Sequence, residues 1–213
     1  MSPRVQCGVL VSGAGTNLEA LLRASEHEGY PARVAVVISN RRSAPALDIA
    51  QRHGVPACAM PESAFGDASK RDRAMIGVLR EHGVALVACA GYDRILSDEV
   101  LDAYPDAILN VHPSLLPAFA GGMTAVEDAL AYGVKVTGCT VQLLERGIAD
   151  GGPIVLQAAV PVHDDDTAEM LRTRIHEQEW ELLPRAVELW ADGRIQREGR
   201  HVRILAAAAA PAL

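Results

Sequence analysis

The stretch that decides the fold is residues 5–26, VQCGVLVSGAGTNLEALLRASE. A short apolar run breaks at Ser12-Gly13-Ala14-Gly15-Thr16-Asn17 and gives way to an amphipathic stretch. The run, 5–12, reads as a strand covered on both faces, and 16–26 reads as a helix. Glycines between them let the backbone turn tightly and approach a ligand, and helix-start N–H groups favour an anion. Thr16 or Asn17 is expected to cap the helix and to donate to a phosphate. A dinucleotide site is the weaker reading. The spacing is not GxGxxG, and the second strand ends in Ser39-Asn40-Arg41 rather than an acid, although Arg41 leaves an NADP 2′-phosphate open.

The same alternation continues along the chain. Apolar runs at 33–39, 85–91, 108–112, 137–144 and 154–162 predict strands, and 44–53, 70–82 and 125–132 predict helices. Strand–helix–strand alternation implies an α/β fold with a doubly wound, mostly parallel sheet. Beyond about residue 134 two strands follow each other closely. A long helix over about 167–190, containing Pro184, and a last strand over about 195–205 complete an antiparallel C-terminal extension. Residues 1–205 are expected to form a single domain, with 206–213 a low-complexity flexible tail.

Open α/β sheets bind ligands at the carboxyl ends of their strands. Those ends are polar or glycine-rich: the Ser12–Asn17 turn, Ser39-Asn40-Arg41, Gly91-Tyr92-Asp93-Arg94 and Asn110-Val111-His112-Pro113. The last is the sharpest. Residues two apart on a strand share a face, so Asn110 and His112 project together before Pro113 stops the ladder. An amide can donate to a developing oxyanion, and an imidazole can exchange a proton near neutral pH. Asp150, in ADGGPIV, is a carboxylate able to hold a histidine and favour its charged form; taken alone it also reads as a solvated turn residue. Asp164, Asp165 and Asp166 are expected to cap the long helix. His176 and Glu179, three apart, share one face of it. Trp180 and Trp190 read as core anchors, and His27, His53, His82, His163 and His201 as structural or solvated.

Composition narrows the partners. The chain has 213 residues, 49% of them hydrophobic, with a net charge of −7. That charge argues against a nucleic-acid or membrane-surface binder, which needs a basic face. No run approaches the roughly 20 apolar residues of a membrane span, and no signal peptide is read. Cys7, Cys58, Cys89 and Cys139 have no CxxC spacing and read as reduced core thiols of a cytoplasmic protein. No converging ligand set suggests a metal.

The segments VSGAGTNLEALL, AGYDRILS, LNVHPSLLPAF, VTGCTV, DGGPIVLQ, RIHEQEWELLP and ADGRI, in this order over about residues 5–205, resemble the folate-dependent glycinamide ribonucleotide formyltransferases of purine biosynthesis. HPSLLP is shared with other folate formyltransferases and with formyl-folate hydrolases; the first glycine loop and the RIHEQE-to-ADGRI end narrow the likeness. The resemblance implies a Rossmann-like formyltransferase fold. It also implies transfer of a formyl group from 10-formyltetrahydrofolate, as co-substrate, to the amine of glycinamide ribonucleotide, without a metal. In that likeness Asn110, His112 and Asp150 form the catalytic trio, with His112 as general acid/base. Gly15, Thr16 and Asn17 hold the substrate phosphate, and His176 and Glu179 face the ribose and glycinamide end. Tyr92, Asp93, Arg94, Ile95 and Leu96, with Asn110 and the loop Arg146, Gly147, Ile148, Ala149 and Asp150, line the folate pocket. Partners are then small molecules alone, with a homodimer as the assembly to consider.

Four departures stand out. Gln142 in TVQLL replaces a histidine of the family's TVHFV, and the loop from there to Asp150 is one residue longer. Ala68 stands where an arginine on the folate side is usual, leaving Lys70 or Arg71 as substitutes. AFAGGMTA lacks a proline and a nearby histidine. Two other readings remain at this level: a hydrolase releasing formate from 10-formyltetrahydrofolate, and an NADP-binding α/β module.

Overall fold

The computed structural model describes residues 3–147 and 150–206; the expected tail, from 207 onward, lies outside them. Five strands, β1 (Val5–Val11), β2 (Ala32–Ser39), β3 (Ala57–Ala59), β4 (Leu86–Cys89) and β5 (Ile108–His112), pair in parallel. β6 (Val136–Leu143) and β7 (Ile154–Pro161) add antiparallel to them, giving the order β3-β2-β1-β4-β5-β6-β7. The chain winds outward from β1 to β3, then returns to the other side of β1 at β4. That reversal opens a crevice at the carboxyl ends of β1 and β4, where ligands bind in such sheets.

The helices are α1 (Thr16–Glu26), α2 (Pro45–Arg52), α3 (Ala68–Glu81), α4 (Asp98–Ala103), α5 (Ala125–Tyr132) and α6 (Ala168–Ala191). They cover both faces because the strand side chains alternate. Cys7, Val9 and Val11 of β1 pack with Leu18, Leu21 and Leu22 of α1 and with Leu183, Ala186 and Val187 of α6. Leu10 points the other way, into a core with Met75, Ile76 and Leu79 of α3 and Val100 of α4. A third cluster sets Val126 of α5 and Leu171 and Ile175 of α6 against Cys139 and Val160 of β6 and β7. Pro184 sits buried inside α6; its ring removes one helix N–H, and the carbonyl of Pro184 accepts from Tyr30 Oη at 2.8 Å.

The predicted elements hold, with four differences. Residues 195–205 are not one strand but a hairpin, β8 (Ile195–Glu198) and β9 (His201–Ile204), turned at Gly199, whose φ of 62° a glycine adopts freely. β3 and α4 have no counterpart among the expected elements. α6 is capped by Thr167, whose side chain accepts from Met170 N, rather than by the acids before it; Asp166 instead accepts from His163 N and pairs with Arg174. Trp180 is 38% exposed and stacks on His176, with ring centroids 6.3 Å apart, so only Trp190 packs against the core. All four cysteines are free, and only Cys58 is less than fully buried. Among the described residues no helix is long and apolar enough to cross a membrane.

Candidate active site

Asn110 and His112 do share a face at the end of β5. Antiparallel pairing with β6 sets Gln142 opposite Asn110 and Thr140 opposite His112, so the polar pair has polar neighbours across the strand. Thr140 also anchors the turn after β5. Its buried Oγ1 donates to the Ser114 carbonyl at 2.7 Å and accepts from Leu116 N at 3.0 Å and Gln157 Nε2 at 2.9 Å. The HPSLLP turn is thereby tied to β6 and β7.

His112 is 5% exposed. Its Nε2 lies 3.1 Å from the Phe119 carbonyl and its Nδ1 3.4 Å from Asp150 Oδ1. An acceptor faces each ring nitrogen, so the doubly protonated ring satisfies both contacts. Both partners hold left-handed backbone, Phe119 with φ 55° and Asp150 with φ 49°. Non-glycine residues are uncommon there, and such strain persists where the surroundings enforce it.

The surroundings of Asp150 are explicit. Oδ2 accepts from Gly121 N at 3.1 Å, and Oδ1 accepts from Gln142 Nε2 at 3.2 Å. The other end of the Gln142 amide accepts from Gly152 N at 3.0 Å. Gln142 is fully buried, so one amide fixes both the carboxylate and the chain two residues on. Gly152 itself is required. A Cβ there would fall 1.9 Å from the Leu143 carbonyl oxygen.

Two cavities meet at these residues. The first, about 570 Å³, is walled by Tyr92–Leu96, Leu101, Leu144, Glu145 and Gly147. The second, about 340 Å³, is walled by Gly13–Asn17, Gly91, His112, Arg172, His176 and Glu179. Asn110 and Asp150 line both. In the second cavity α1 is preceded by Gly15, with φ 84° and no side-chain cap, so its first-turn N–H groups have no acceptor within the helix. Neither Thr16 nor Asn17 caps the helix as expected. Asn17 Nδ2 donates instead to Glu179 Oε2 at 2.8 Å. Burial pushes Glu179 up to about 7, opposed by that hydrogen bond. His176 lies 4.0 Å from Glu179, and burial together with the Arg172 charge holds it below the usual histidine range.

Residues 5–187 match the formyl transferase family. The chain is 37% identical over 180 residues to a phosphoribosylglycinamide formyltransferase of Bacillus subtilis, covering 84% of this chain and 91% of that one. It belongs to that family. The fold agrees. A glycinamide ribonucleotide transformylase 1 from Symbiobacterium toebii superposes with a TM-score of 0.93 at 48% identity, over 97% of this chain and 96% of the other. The chain is also 40% identical to a trifunctional purine biosynthetic protein adenosine-3 of Gallus gallus, over 91% of its own length. It spans only about a fifth of that relative, 19%.

Within this formyltransferase-family chain, the remaining expected site residues divide. Tyr92, Arg94, Ile95 and Leu96 line the larger cavity, with Ile95 83% exposed at its mouth. Asp93 also borders it, but its carboxylate turns back into a network that sequence reasoning did not find. Asn40 Nδ2 donates to it at 2.7 Å, Ser12 Oγ lies at 3.0 Å, and Arg41 pairs with it. Burial alone would raise Asp93, but the Asn40 and Ser12 hydrogen bonds and the Arg41 charge outweigh it and hold the carboxyl below its usual range. The network ties the ends of β1, β2 and β4 and engages Arg41 with Asp93.

Neither suggested substitute for the folate-side arginine borders the cavity. Arg71 is buried and bonded to Asp72, whose other oxygen accepts from Ser97 N at 2.9 Å. Lys70 lies outside, 3.4 Å from Asp67. Arg146 pairs with Asp102 and Gly147 lines the cavity, while Ile148 and Ala149 lie outside the described residues. The hairpin β8–β9 grips both sides of this loop. Arg197 Nη2 lies 2.5 Å from Glu145 Oε1, and Arg200 Nη1 donates to the Gly151 carbonyl at 2.8 Å. Reading 195–205 as one strand hid this contact. Cys89 also faces the cavity, but burial pushes its thiol up to about 12, which withholds the nucleophilic thiolate. Among the described residues no three His, Cys, Asp or Glu side chains gather as a metal site.

Proposed function

We propose that this chain transfers the formyl group of 10-formyltetrahydrofolate to the amine of glycinamide ribonucleotide. The observation that carries this reading is the placement of Asn110 and Asp150 in the walls of two adjoining cavities, with His112 beside them in the wall of the smaller one. Two ligands held separately can then meet at one polar cluster, which is what group transfer between them needs.

Each cavity suits one ligand. The smaller offers uncapped helix N–H groups for a phosphate. It also offers the Glu179 carboxylate for hydroxyl donors, and Asn17 Oδ1, buried with no hydrogen-bond partner among the described residues, marks a polar wall. The larger is a mostly apolar cleft bordered by Tyr92, Leu96, Leu101 and Leu144, with the loop backbone at one side. A flat heteroaromatic ring fits such a slot.

Chemistry follows from the cluster. Attack of the amine on the formyl carbon places negative charge on the formyl oxygen. Asn110 donates to that oxygen without changing charge, and the His112 imidazolium stabilises it electrostatically. Breaking the bond from carbon to the folate nitrogen requires that nitrogen to gain a proton and the amine to lose one; His112 relays it. Asp150, 3.4 Å from Nδ1, orients the ring.

The test is incubation with 10-formyltetrahydrofolate with and without glycinamide ribonucleotide, following release of the folate product. Amine-dependent turnover supports the reading. Turnover that ignores the amine would make the chain a formate-releasing hydrolase, and no turnover would refute both.

A further inference from the structure

The smaller cavity has an electrostatic problem. Its wall carries three acidic side chains, Glu127, Asp150 and Glu179, the last held by burial toward its neutral form, in a chain of net charge −7. A phosphate monoester entering it brings about two more negative charges near pH 7. The α1 N-terminus supplies partial positive charge only. His112 is engaged by Asp150 and the Phe119 carbonyl, and His176 is held toward its neutral form. Among the described residues, Arg172 is the one lysine or arginine in that wall.

Arg172 is placed to answer. It lies four residues before His176 and seven before Glu179 on α6, so all three project from one helix face. Its guanidinium now pairs with Glu127, in the first turn of α5. Both side chains of that pair are about two-fifths exposed, 40% and 45%, and an ion pair so solvated is weak. Glu127 would not be stranded by losing it, since a carboxylate is favoured at a helix N-terminus and this one keeps its water. A guanidinium gains more from a phosphate, whose oxygens match its fork of donors.

We propose that Arg172 is a phosphate ligand of the ribonucleotide cavity, exchanging its Glu127 partner for the substrate phosphate on binding. This rests on the transfer reading above for the identity of the substrate, though not for the phosphate itself. Glu127 then acts as a placeholder that keeps the guanidinium at the cavity wall when no ligand is bound.

Arg172→Gln, Arg172→Lys and Glu127→Gln separate this role from a structural strap between α5 and α6. Arg172→Gln is expected to raise KM for glycinamide ribonucleotide about tenfold or more, with kcat and the folate KM moving far less. Arg172→Lys restores part of the loss, as a point charge without the fork. Glu127→Gln frees the guanidinium and removes a carboxylate from the wall, so KM for glycinamide ribonucleotide is expected to fall rather than rise. If both Arg172→Gln and Glu127→Gln raise KM alike, the pair is a strap and the proposal is overturned. It is also overturned if Arg172→Gln leaves KM unmoved. Calorimetric binding of inorganic phosphate to wild type and Arg172→Gln reads the same contact without turnover, and weaker binding by the variant is expected. If wild type lacks amine-dependent turnover, the transfer reading falls while this titration still decides Arg172: equal affinity for the two proteins overturns the proposal.

Discussion

Glu179 should make the protein less stable as pH rises, and Glu179→Gln should remove the effect. In the unfolded chain this carboxyl ionises near its ordinary value of 4.5; in the fold, burial moves it to about 7 against the Asn17 hydrogen bond. Between those values the folded state still binds a proton that the unfolded chain has released. The stability contributed by the neutral carboxyl is therefore whole below about 4.5, falls through the window, and is gone above about 7. At about 1.4 kcal/mol per pH unit the loss is on the order of 3 kcal/mol. Glutamine keeps the shape and can still accept from Asn17 Nδ2, but cannot ionise. Urea denaturation of both proteins from pH 4.5 to 8.5 should show equal stability at the acid end and a gap opening in favour of Glu179→Gln up to pH 7, then level. That gap corresponds to a melting-temperature difference of roughly 6–12 °C for a chain of this size. Other titrating groups cancel in the difference. A gap that stays constant across the range would refute the assignment of a raised carboxyl to this site. The same variant should bind ribonucleotide less well, since stability is gained here by removing a buried charge acceptor.

Other outcomes are equally specific. His112→Ala and Asp150→Asn should each lose on the order of 10²–10³ in kcat while keeping the wild-type circular dichroism spectrum; turnover near wild type in either removes that residue from the chemistry. Gln142→Leu strands the Gly152 N–H and takes one of two partners from Asp150 Oδ1, so denaturation should show a loss of about 1–3 kcal/mol, with lowered kcat. Gly152→Ala forces a Cβ against the Leu143 carbonyl, and its melting temperature should drop sharply; an unchanged one would mean the loop yields freely. Arg200→Ala releases the Gly151 carbonyl from the hairpin and should lower kcat more than it lowers the melting temperature, because the contact is exposed and bears on the loop that delivers Asp150.

How far the sequence spoke depended on whether a feature is local. β5 and α1 lie where the apolar pattern puts them, at Ile108–His112 and Thr16–Glu26, because both have long flanking context and unambiguous stops. β3 has three residues and α4 six, too few for a period of two or 3.6 to show. The hairpin carried a usable signal, Gly199 between two alternating runs, which marks a two-residue turn. The paired faces of Asn110 and His112, and of His176 and Glu179, followed from spacing alone. Contacts between distant segments did not. Nothing in the order of residues says that Asn17 meets Glu179, or that Asp93 meets Asn40 rather than facing the cavity; those pairings arise only when the sheet order is known.

Gln142 shows where such a contact changes the chemistry. It stood out in the sequence only as a departure from a histidine, and the added loop residue put the aim of Asp150 in question. Register resolves the geometry: Gln142 pairs with Asn110 on one side and with Ile154 on the other, and Leu143 N, one residue on, donates to the Pro153 carbonyl at 2.9 Å, so the loop between β6 and β7 is closed just beyond this residue. Whatever its length, its two ends are fixed a ladder step apart, and the side chain of Gln142 reaches inward to both Asp150 and Gly152. An amide suits this task because it does not titrate. A histidine in its place would set a second titratable ring beside the same carboxylate. With glutamine, the group that holds Asp150 carries no charge at any pH, so the aim of the carboxylate does not depend on a second titrating ring.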